Sequence, residues 1–241
     1  MNLLKRIYSI LLKKYGFQGW WPLLDCNGIN PTKTGSIKGY HPKDYFYPKN
    51  NRQRFEICIG AILTQNTSWP QVEKALLNLK GLKALTPQAI KKLSLEKLKQ
   101  AIKPSGYFNQ KARKIKEFTD FYLSLKNRVP TRDELLNVWG IGPETADSIL
   151  LYAFNVPECV VDAYTRRIFS KLGFIKKHAS YEEIKKLFEK NLPKNLKIYQ
   201  EYHALIVEHA KRYYSKKPYG KNDPLLKISG IKQKGLNKNM F

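Results

Sequence analysis

The stretch that runs from residue 135 to Asp162 constrains this chain more than any other part of it. Two apolar helical patterns flank a tight turn, Gly140-Ile-Gly-Pro143, and Asp162 follows the second pattern after a short extended run. Glycine supplies the positive φ or the close backbone approach that such a turn needs, and proline is accepted in the first turn of a helix. The turn and the helix start therefore offer free backbone N–H groups to an anion.

Composition indicates which anion to expect. An ordinary helical hairpin is the alternative interpretation of the turn, and a lone Gly-x-Gly would support nothing more. However, 44 Lys+Arg against 19 Asp+Glu give the 241 residues a formal net charge of +25, which attracts polyanions. Charge alone is no proof, because genome composition or a hot habitat also enriches lysine. Charge and turn together predict a DNA phosphate as the anion.

Cysteine usage and the N-terminal segment indicate an intracellular protein. Cys26, Cys58 and Cys159 are odd in number and widely separated, so a disulfide framework is not expected. Lysine and arginine interrupt residues 1–15, which fit an amphipathic basic helix better than a signal peptide, and no run reaches membrane-spanning length. We therefore expect a cytoplasmic, nucleoid-associated protein with no membrane partner.

Helical patterns run through almost the whole chain, and no alternating strand pattern competes with them. Residues 54–65 are apolar nearly all round, which is typical of a helix buried on every side. Thr131 with Glu134 and Ser180 with Glu183 fit capping boxes that begin two further helices. Residues 25–51 are polar and interrupted by Pro and Gly, and they predict a long connection. The predicted fold class is all-α.

A longer pattern surrounds the glycine turn. Its members are Leu135, Val138, Gly140, Ile141, Gly142, Thr145, Ala146, Asp147, Ile149, Leu150, Tyr152, Ala153, Val160, Val161 and Asp162. Together they resemble the helix-hairpin-helix, Gly/Pro-rich loop and aspartate of the endonuclease III superfamily of DNA glycosylases. The resemblance implies two helical lobes with an active cleft between them. Residues 52–157 would form a barrel-like lobe with the helix-hairpin-helix at about 132–154, and residues 1–51 and 158–241 would form the second lobe.

Asp162 is the catalytic residue that the resemblance implies. Breaking an N-glycosidic bond develops positive charge on the sugar, which a carboxylate stabilises while it orients or deprotonates a water molecule. Asp162 also precedes a helical pattern that begins at Ala163, so it is equally suited to be an N-cap. The two roles are compatible, because capping hydrogen bonds and the helix dipole favour the ionised carboxylate.

Position 144 departs from one branch of the superfamily. Relatives that also cut the DNA backbone carry a lysine directly before the Thr-Ala of the hairpin, and its amine forms a Schiff base with the sugar. This chain has Glu144 before Thr145. A carboxylate cannot form that intermediate, so the sequence favours a monofunctional glycosylase that uses water.

The C-terminal part departs from the superfamily as well. Residues 203–229 resemble the segment that in many relatives holds a [4Fe–4S] cluster on cysteines. No cysteine follows Cys159, so we expect no cysteine-ligated iron–sulfur cluster. The approximate positions of the cluster cysteines are occupied here by Tyr214, Gly220, Asp223 and Ser229. A monovalent cation bound at the hairpin is the one cofactor that the sequence leaves open.

Three shorter matches narrow the resemblance to the 3-methyladenine DNA glycosylase III group and its archaeal and bacterial relatives. They are residues 19–22, 62–69 and 104–112, and the likeness covers most of residues 15–215. By this resemblance, Gln65 would wedge into the duplex where the damaged base leaves.

The same resemblance implies a base pocket built from Trp20, Trp21, Pro22 and Trp69, with Lys211 reaching the edge of the base. An alkylated purine carries positive charge, so each aromatic face prefers it to the neutral base by about 0.5–2 kcal/mol. Its charge also makes it a good leaving group. Two adjacent tryptophans are equally typical of a hydrophobic core, and a lysine beside a cationic base is unfavourable unless it is shielded or deprotonated.

The remaining candidates are DNA contacts and histidines. Besides Gln65, the predicted DNA contacts are Gly140, Ile141, Gly142, Thr145 and Lys111. Lys111 lies on an amphipathic helix with Arg113 and Lys114, where we predict a solvated basic face that touches phosphate. His203 and His209 lack metal-ligand spacing, so we interpret them as structural or DNA-facing and expect no metal.

The sequence thus predicts an all-α, monomeric, monofunctional DNA glycosylase of base excision repair. It would bind double-stranded DNA with a damaged base and hydrolyse the N-glycosidic bond of an alkylated purine such as 3-methyladenine. Two alternatives stay open. One is a glycosylase of the same fold with AP lyase activity or with another lesion as substrate, and the other is a non-catalytic DNA-binding protein.

Overall fold

A computed structural model describes residues 2–228 of the protein, and helix is their dominant regular structure, as the predicted all-α class requires. The described chain also contains two 3₁₀ turns, Lys103–Ser105 and Pro224–Lys227, a π-helical turn, Ile149–Ala153, and two short strands, β1 (Gly28–Ile29) and β2 (Lys38–Tyr40). The helices are α1 (Leu3–Tyr15), α2 (Asn51–Leu63), α3 (Trp69–Gly81), α4 (Pro87–Lys92), α5 (Leu95–Ile102), α6 (Phe108–Ser124), α7 (Arg132–Leu136), α8 (Pro143–Ser148), α9 (Ala163–Lys171), α10 (Tyr181–Asn191) and α11 (Leu196–Tyr213).

The chain divides into two compact units. The middle unit is Gly19–Glu158, and the terminal unit combines both ends of the chain, Met1–Gln18 and Cys159–Phe241. This division differs from the predicted one in residues 19–51, which belong to the middle unit and not to the lobe formed by the chain ends. The second division of the chain lies between Glu158 and Cys159.

Helix α2 is the centre of the middle unit. Every residue from Phe55 to Leu63 is buried, including the single charged residue Glu56, as the nearly all-round apolar pattern predicts. Asn50 begins the helix, because its side chain accepts a hydrogen bond from the backbone N–H of Gln53. Helices α3, α6 and α8 and the π-helical turn pack around α2.

Residues 25–51 are more ordered than the predicted long connection. Strands β1 and β2 pair antiparallel, with Gly28 opposite Tyr40. The Asn30 side chain donates to the carbonyl oxygens of Thr34 and Ser36, at 2.7 and 3.2 Å, and so closes the loop between the strands. Strands of two and three residues are too short to show an alternating pattern, which explains why the sequence did not indicate them.

In the terminal unit, α1 and α9 pack against α11, whose residues are mostly buried. Phe169 of α9, Phe188 of α10 and Tyr202 of α11 form an aromatic core with ring centroids 4.8–6.4 Å apart. The capping box of Ser180 and Glu183 begins α10 as predicted. Within the described part of the chain, no helix combines the length and apolar character needed to cross a membrane.

Candidate active site

Helices α7 and α8 and the turn between them form the predicted hairpin in the middle unit. The capping box of Thr131 and Glu134 begins α7 as predicted. Gly140 has φ +81°, the left-handed conformation that favours glycine. Gly142 differs from Gly140, because it is extended, with φ −95° and ψ 177°, and is the N-cap of α8. A Cβ atom on Gly142 would meet no atom within 4 Å, so the described fold itself does not require glycine there.

A buried ion pair braces the hairpin. Arg132 of α7 donates from Nε and Nη2 to the carboxylate of Asp147 on α8, at 2.7 and 3.3 Å. The Asp147 side chain is fully buried, so removal of the arginine would leave a buried charge without this partner. The π-helical turn Ile149–Ala153 follows α8 directly, is buried throughout and packs against α2.

Gln65 lies directly against this hairpin. Its amide nitrogen donates to the carbonyl oxygen of Gly140 at 3.2 Å and to the hydroxyl of Thr145 at 3.0 Å. Its amide oxygen accepts from Nζ of Lys114, on α6, at 2.5 Å. The structure therefore joins three of the predicted DNA-contacting residues, Gln65, Gly140 and Thr145, in one hydrogen-bonded group.

Lys111 differs from its prediction, because it is 2% exposed and does not belong to a solvated basic face. Its ammonium donates to the carbonyl oxygens of Leu63 and Ser105, at 2.9 and 2.6 Å. Burial, together with the nearby positive charge of Lys114, lowers the pKa of Lys111 to about 8. The side chain thus caps the last carbonyl groups of α2 and of the 3₁₀ turn Lys103–Ser105, and it does not face a phosphate.

Trp20, Trp21 and Trp69 form an aromatic cluster in the middle unit. The Trp21 ring lies edge-on to Trp69, with centroids 5.5 Å apart, and edge-on to Trp20 at 6.1 Å. Trp21 is only 6% exposed, and Pro22 is buried as well. A Cβ atom on Gly60 would lie 3.0 Å from Trp21 Nε1, so the indole packs closely on α2. Within the described residues, the indole N–H groups of Trp21 and Trp69 are buried without a hydrogen-bond partner.

Tyr152 belongs to the same cluster, although the sequence pattern predicts it only as a member of the hairpin motif. Its ring centroid lies 5.3 Å from that of Trp21 and 6.4 Å from that of Trp20. Tyr152 stands in the π-helical turn, where the wider winding changes which side chains share a helix face. A helical wheel with the usual period does not reveal that face, so only the hairpin pattern could have pointed to this residue.

Asp162 begins α9 in the terminal unit, as predicted for an N-cap. Its Oδ1 atom accepts from the backbone N–H and from the hydroxyl of Thr165, at 2.6 and 2.7 Å. Its Oδ2 atom lies 3.9 Å from Nε2 of His203 on α11. The two side chains are 12% and 8% exposed. Burial lowers the pKa of His203, and the charge of Asp162 opposes this effect, so the imidazole is neutral at neutral pH.

Lys211 and Glu208 form an ion pair on α11. Lys211 Nζ lies 3.3 Å from Oε2 of the buried Glu208 side chain, and Arg212 contacts the other oxygen of the same carboxylate. The positive charge of Lys211 is therefore shielded. This is the condition under which a lysine can stand near a cationic base.

The C-terminal segment of the terminal unit is held by a buried hydrogen-bond network. Asp223 accepts from Nε2 of His209 at 2.9 Å, from the hydroxyl of Tyr214 at 2.6 Å and from the backbone N–H of Leu225 at 2.8 Å. The other ring nitrogen of His209 lies 2.9 Å from the hydroxyl of Tyr15 on α1. His209 is thus structural, one of the two roles predicted for it.

This network occupies two of the positions that correspond to cluster ligands. Tyr214 and Asp223 are bonded to each other, and Gly220, with φ +76°, packs against the Tyr214 ring. Ser229, the remaining position, lies outside the described residues. A phenol and a carboxylate that are satisfied by each other do not fit the thiolate ligand set of an iron–sulfur cluster.

Comparison with known proteins places the chain in one family. Residues 59–194 match the family described as HhH-GPD superfamily base excision DNA repair protein. A protein of Methanocaldococcus jannaschii, provisionally named a DNA repair glycosylase, is 43% identical over 235 residues, which is 93% of this chain and 94% of that protein. The solved structure of the H. pylori 3-methyladenine DNA glycosylase bound to 1,N6-ethenoadenine is 29% identical, with a TM-score of 0.64 over 87% of this chain and 96% of that chain.

A further solved structure, a non-covalent endonuclease III–DNA complex, is 25% identical, with a TM-score of 0.70 over 97% of this chain and 98% of that chain. These findings confirm the resemblance to the endonuclease III superfamily that the hairpin, its glycines and the following aspartate predict. The chain belongs to the HhH-GPD superfamily of base excision DNA repair proteins and is a DNA glycosylase.

Proposed function

We propose that this glycosylase is monofunctional and that Asp162 and a water molecule hydrolyse the N-glycosidic bond of an alkylated purine in double-stranded DNA. The proposal rests on one observation, namely that the two carboxylate oxygens of Asp162 make different contacts. Oδ1 is committed to the start of α9, whereas Oδ2 makes no hydrogen bond to the described residues and faces neutral His203. One carboxylate oxygen is thus fixed, and the other is available to the reaction.

The surroundings of Asp162 suit the stabilisation of positive charge on a sugar. Asp162 accepts from the N–H group of Thr165 at the start of α9 and meets the positive end of the helix dipole there. Because the side chain is mostly buried, its charge is poorly screened by solvent and acts strongly on a charge that develops beside it. The same carboxylate would orient the attacking water and accept its proton as the glycosidic bond breaks.

No lysine of the hairpin offers the amine that a lyase needs. Glu144 stands at the position of the Schiff-base lysine. Lys111 has the lowered pKa that is typical of a nucleophilic lysine, but its amine is buried and donates to two backbone carbonyl oxygens. Water is therefore the nucleophile that these residues support.

The aromatic cluster supports a cationic purine as the substrate. The faces of Trp20, Trp21 and Trp69 offer cation–π and stacking interactions, which favour an alkylated base over its neutral parent. Buried indole N–H groups usually have an acceptor, so that of Trp69 is a candidate donor to the ring or exocyclic atoms of a bound base. The solved relative that binds 1,N6-ethenoadenine adds support for a modified purine as the ligand.

The experiment that tests the proposal offers the protein a panel of duplexes. They contain 3-methyladenine, 7-methylguanine, hypoxanthine, uracil or an oxidised pyrimidine. We expect release of the alkylated purines, strand cleavage only after treatment with alkali, and no covalent trapping by borohydride.

Trapping of the wild-type protein would overturn the monofunctional assignment and identify another amine as nucleophile. Excision confined to an oxidised pyrimidine would exclude the alkylated purine. Binding without excision of any of these lesions would exclude all five bases as substrates and overturn the proposed specificity. Glu144→Lys is the matched variant for borohydride trapping, because it restores the amine at the position where relatives have it.

Gly140 and Gly142 provide a test of the hairpin as a DNA contact. Gly140→Ala should lower the free energy of unfolding by about 1–2 kcal/mol, because φ is positive and the new methyl group would lie 2.6–2.8 Å from the Lys114 side chain. Gly142→Ala should leave stability nearly unchanged and still weaken duplex binding, because a methyl group there obstructs only a molecule that approaches from outside.

Urea unfolding and duplex affinity at one fixed salt concentration measure the two effects. Normal duplex affinity of the Gly142→Ala protein would show that the DNA backbone does not approach this residue. Equal stability losses in the two variants would contradict the difference in backbone conformation.

A further inference from the structure

Gln65 is docked on the hairpin by bonds from two separate elements. Its amide nitrogen is bound to Gly140 and Thr145 of the hairpin, and its amide oxygen to Lys114 of α6. These contacts fix both ends of the amide group. A side chain held in this way cannot enter a DNA duplex until the bonds break, so a wedge role for Gln65 requires a release step.

Lys114 connects Gln65 with the turn of the hairpin. Its aliphatic stem passes close to Gly140, since a Cβ atom there would lie 2.6–2.8 Å from Cγ, Cδ and Cε. Its ammonium ends on Gln65 Oε1 at 2.5 Å. Lys114 also lies close enough to Lys111 to lower the pKa of that residue. The Lys114 ammonium thus lies beside the turn and near the cationic Lys111, and its partner, the Gln65 amide oxygen, is uncharged.

A phosphate oxygen is a stronger partner for this ammonium than an amide oxygen is, because the hydrogen bond is then assisted by charge on both sides. A duplex bound at the hairpin brings phosphates to the turn that the Lys114 stem covers. Phosphate and Gln65 therefore compete for the same ammonium. Thr145, which is 7% exposed, remains as a neutral acceptor that holds the amide nitrogen.

We propose that Lys114 and Thr145 are positioning residues for Gln65, which they hold on the hairpin in the free protein, and that a phosphate of bound DNA draws Lys114 away and releases Gln65 toward the base stack. The inference rests on the proposed function, excision of a base from duplex DNA, and on the wedge role that the sequence resemblance implies for Gln65. It makes binding of the DNA backbone the first step and wedge insertion the second.

Thr145→Val tests the docking, because it keeps the shape of the buried side chain and removes the acceptor. The probe is a duplex with a tetrahydrofuran abasic-site analogue beside 2-aminopurine, whose fluorescence rises when its neighbours unstack. At saturating protein, the first-order rate of this rise should be about fivefold higher in Thr145→Val, the effect of one neutral hydrogen bond. Thr119→Val is the matched control, because its hydroxyl bonds to Ile115 within α6 at 2.6 Å, and it should not change the rate.

Two further variants complete the test. In Gln65→Ala the additional change Thr145→Val should have no effect on the rate, because the docked side chain is gone. Lys114→Met keeps the stem over Gly140 and removes the ammonium, so the slope of log affinity against log salt should become shallower by about 1. An unchanged rate in Thr145→Val would overturn the docking, and an unchanged salt slope in Lys114→Met would overturn the exchange with phosphate.

The probe contains no base to excise at the abasic analogue, so its signal does not depend on catalysis. Fluorescence changes of the expected size in a protein that excises no lesion would support the release step and refute the proposed function. An identical fluorescence rise in wild type and Gln65→Ala would show that Gln65 is not the wedge, and would overturn the inference while leaving the glycosylase assignment intact.

Discussion

Asp162→Asn should lower the rate of base excision by at least about 10³-fold and leave duplex affinity within a few fold of wild type. The change removes the negative charge that stabilises the positive sugar in the transition state, while the side-chain shape is preserved. Asn is also an effective N-cap, so α9 keeps its start and the free energy of unfolding should change little. Single-turnover excision, duplex affinity and urea unfolding measure the three quantities.

Glu182→Gln is the control for this variant, because it neutralises another carboxylate in the first turn of a helix of the same unit. It should retain normal excision. An Asp162→Asn protein that excises bases at close to the wild-type rate would remove Asp162 from the mechanism. Loss of stability comparable to the loss of activity would instead indicate a purely structural N-cap.

Local patterns predicted the parts of this molecule that depend on a few neighbouring residues. The capping boxes at Thr131 and Ser180, the N-cap at Asp162 and the positive φ of Gly140 all lie where the sequence places them. Each of these features is set by contacts within about four residues, which a single sequence displays.

Features that depend on distant partners were not predictable in this way. Lys111 falls on the same face of α6 as the buried Ile115 and Phe118, but the sequence does not show the carbonyl oxygens of Leu63 and Ser105 that accept its hydrogen bonds. Burial of an ammonium group without such acceptors costs much free energy, so the sequence alone favours a solvent-exposed Lys111 on a basic face of α6. The docking of Gln65 and the place of Tyr152 among the tryptophans depend on long-range packing for the same reason.

Asp223→Ala should lower the free energy of unfolding by about 3–5 kcal/mol at neutral pH. The variant would leave the donors of His209, Tyr214 and Leu225 buried without their acceptor, and such groups are expensive in the interior of a protein. Asp120→Ala is the control, because it removes an exposed ion pair with Lys91 and should change stability little. Urea unfolding of both variants and the wild type measures the difference.

The effect of Asp223→Ala should also depend on pH. Burial raises the pKa of Asp223, but the hydrogen bonds from His209 and Tyr214 outweigh it, and the folded-state pKa lies below 3.8. A carboxyl with a lowered pKa in the folded state stabilises the protein above its unfolded-state pKa, and this contribution is lost as the pH falls through the folded-state value. The difference in free energy of unfolding between wild type and variant should therefore have its full size at neutral pH and decrease below pH 3.8. A gap that does not change with pH would mean that Asp223 acts through packing alone. A stability loss no larger than that of Asp120→Ala would mean that the network does not hold the C-terminal segment in place of a cluster.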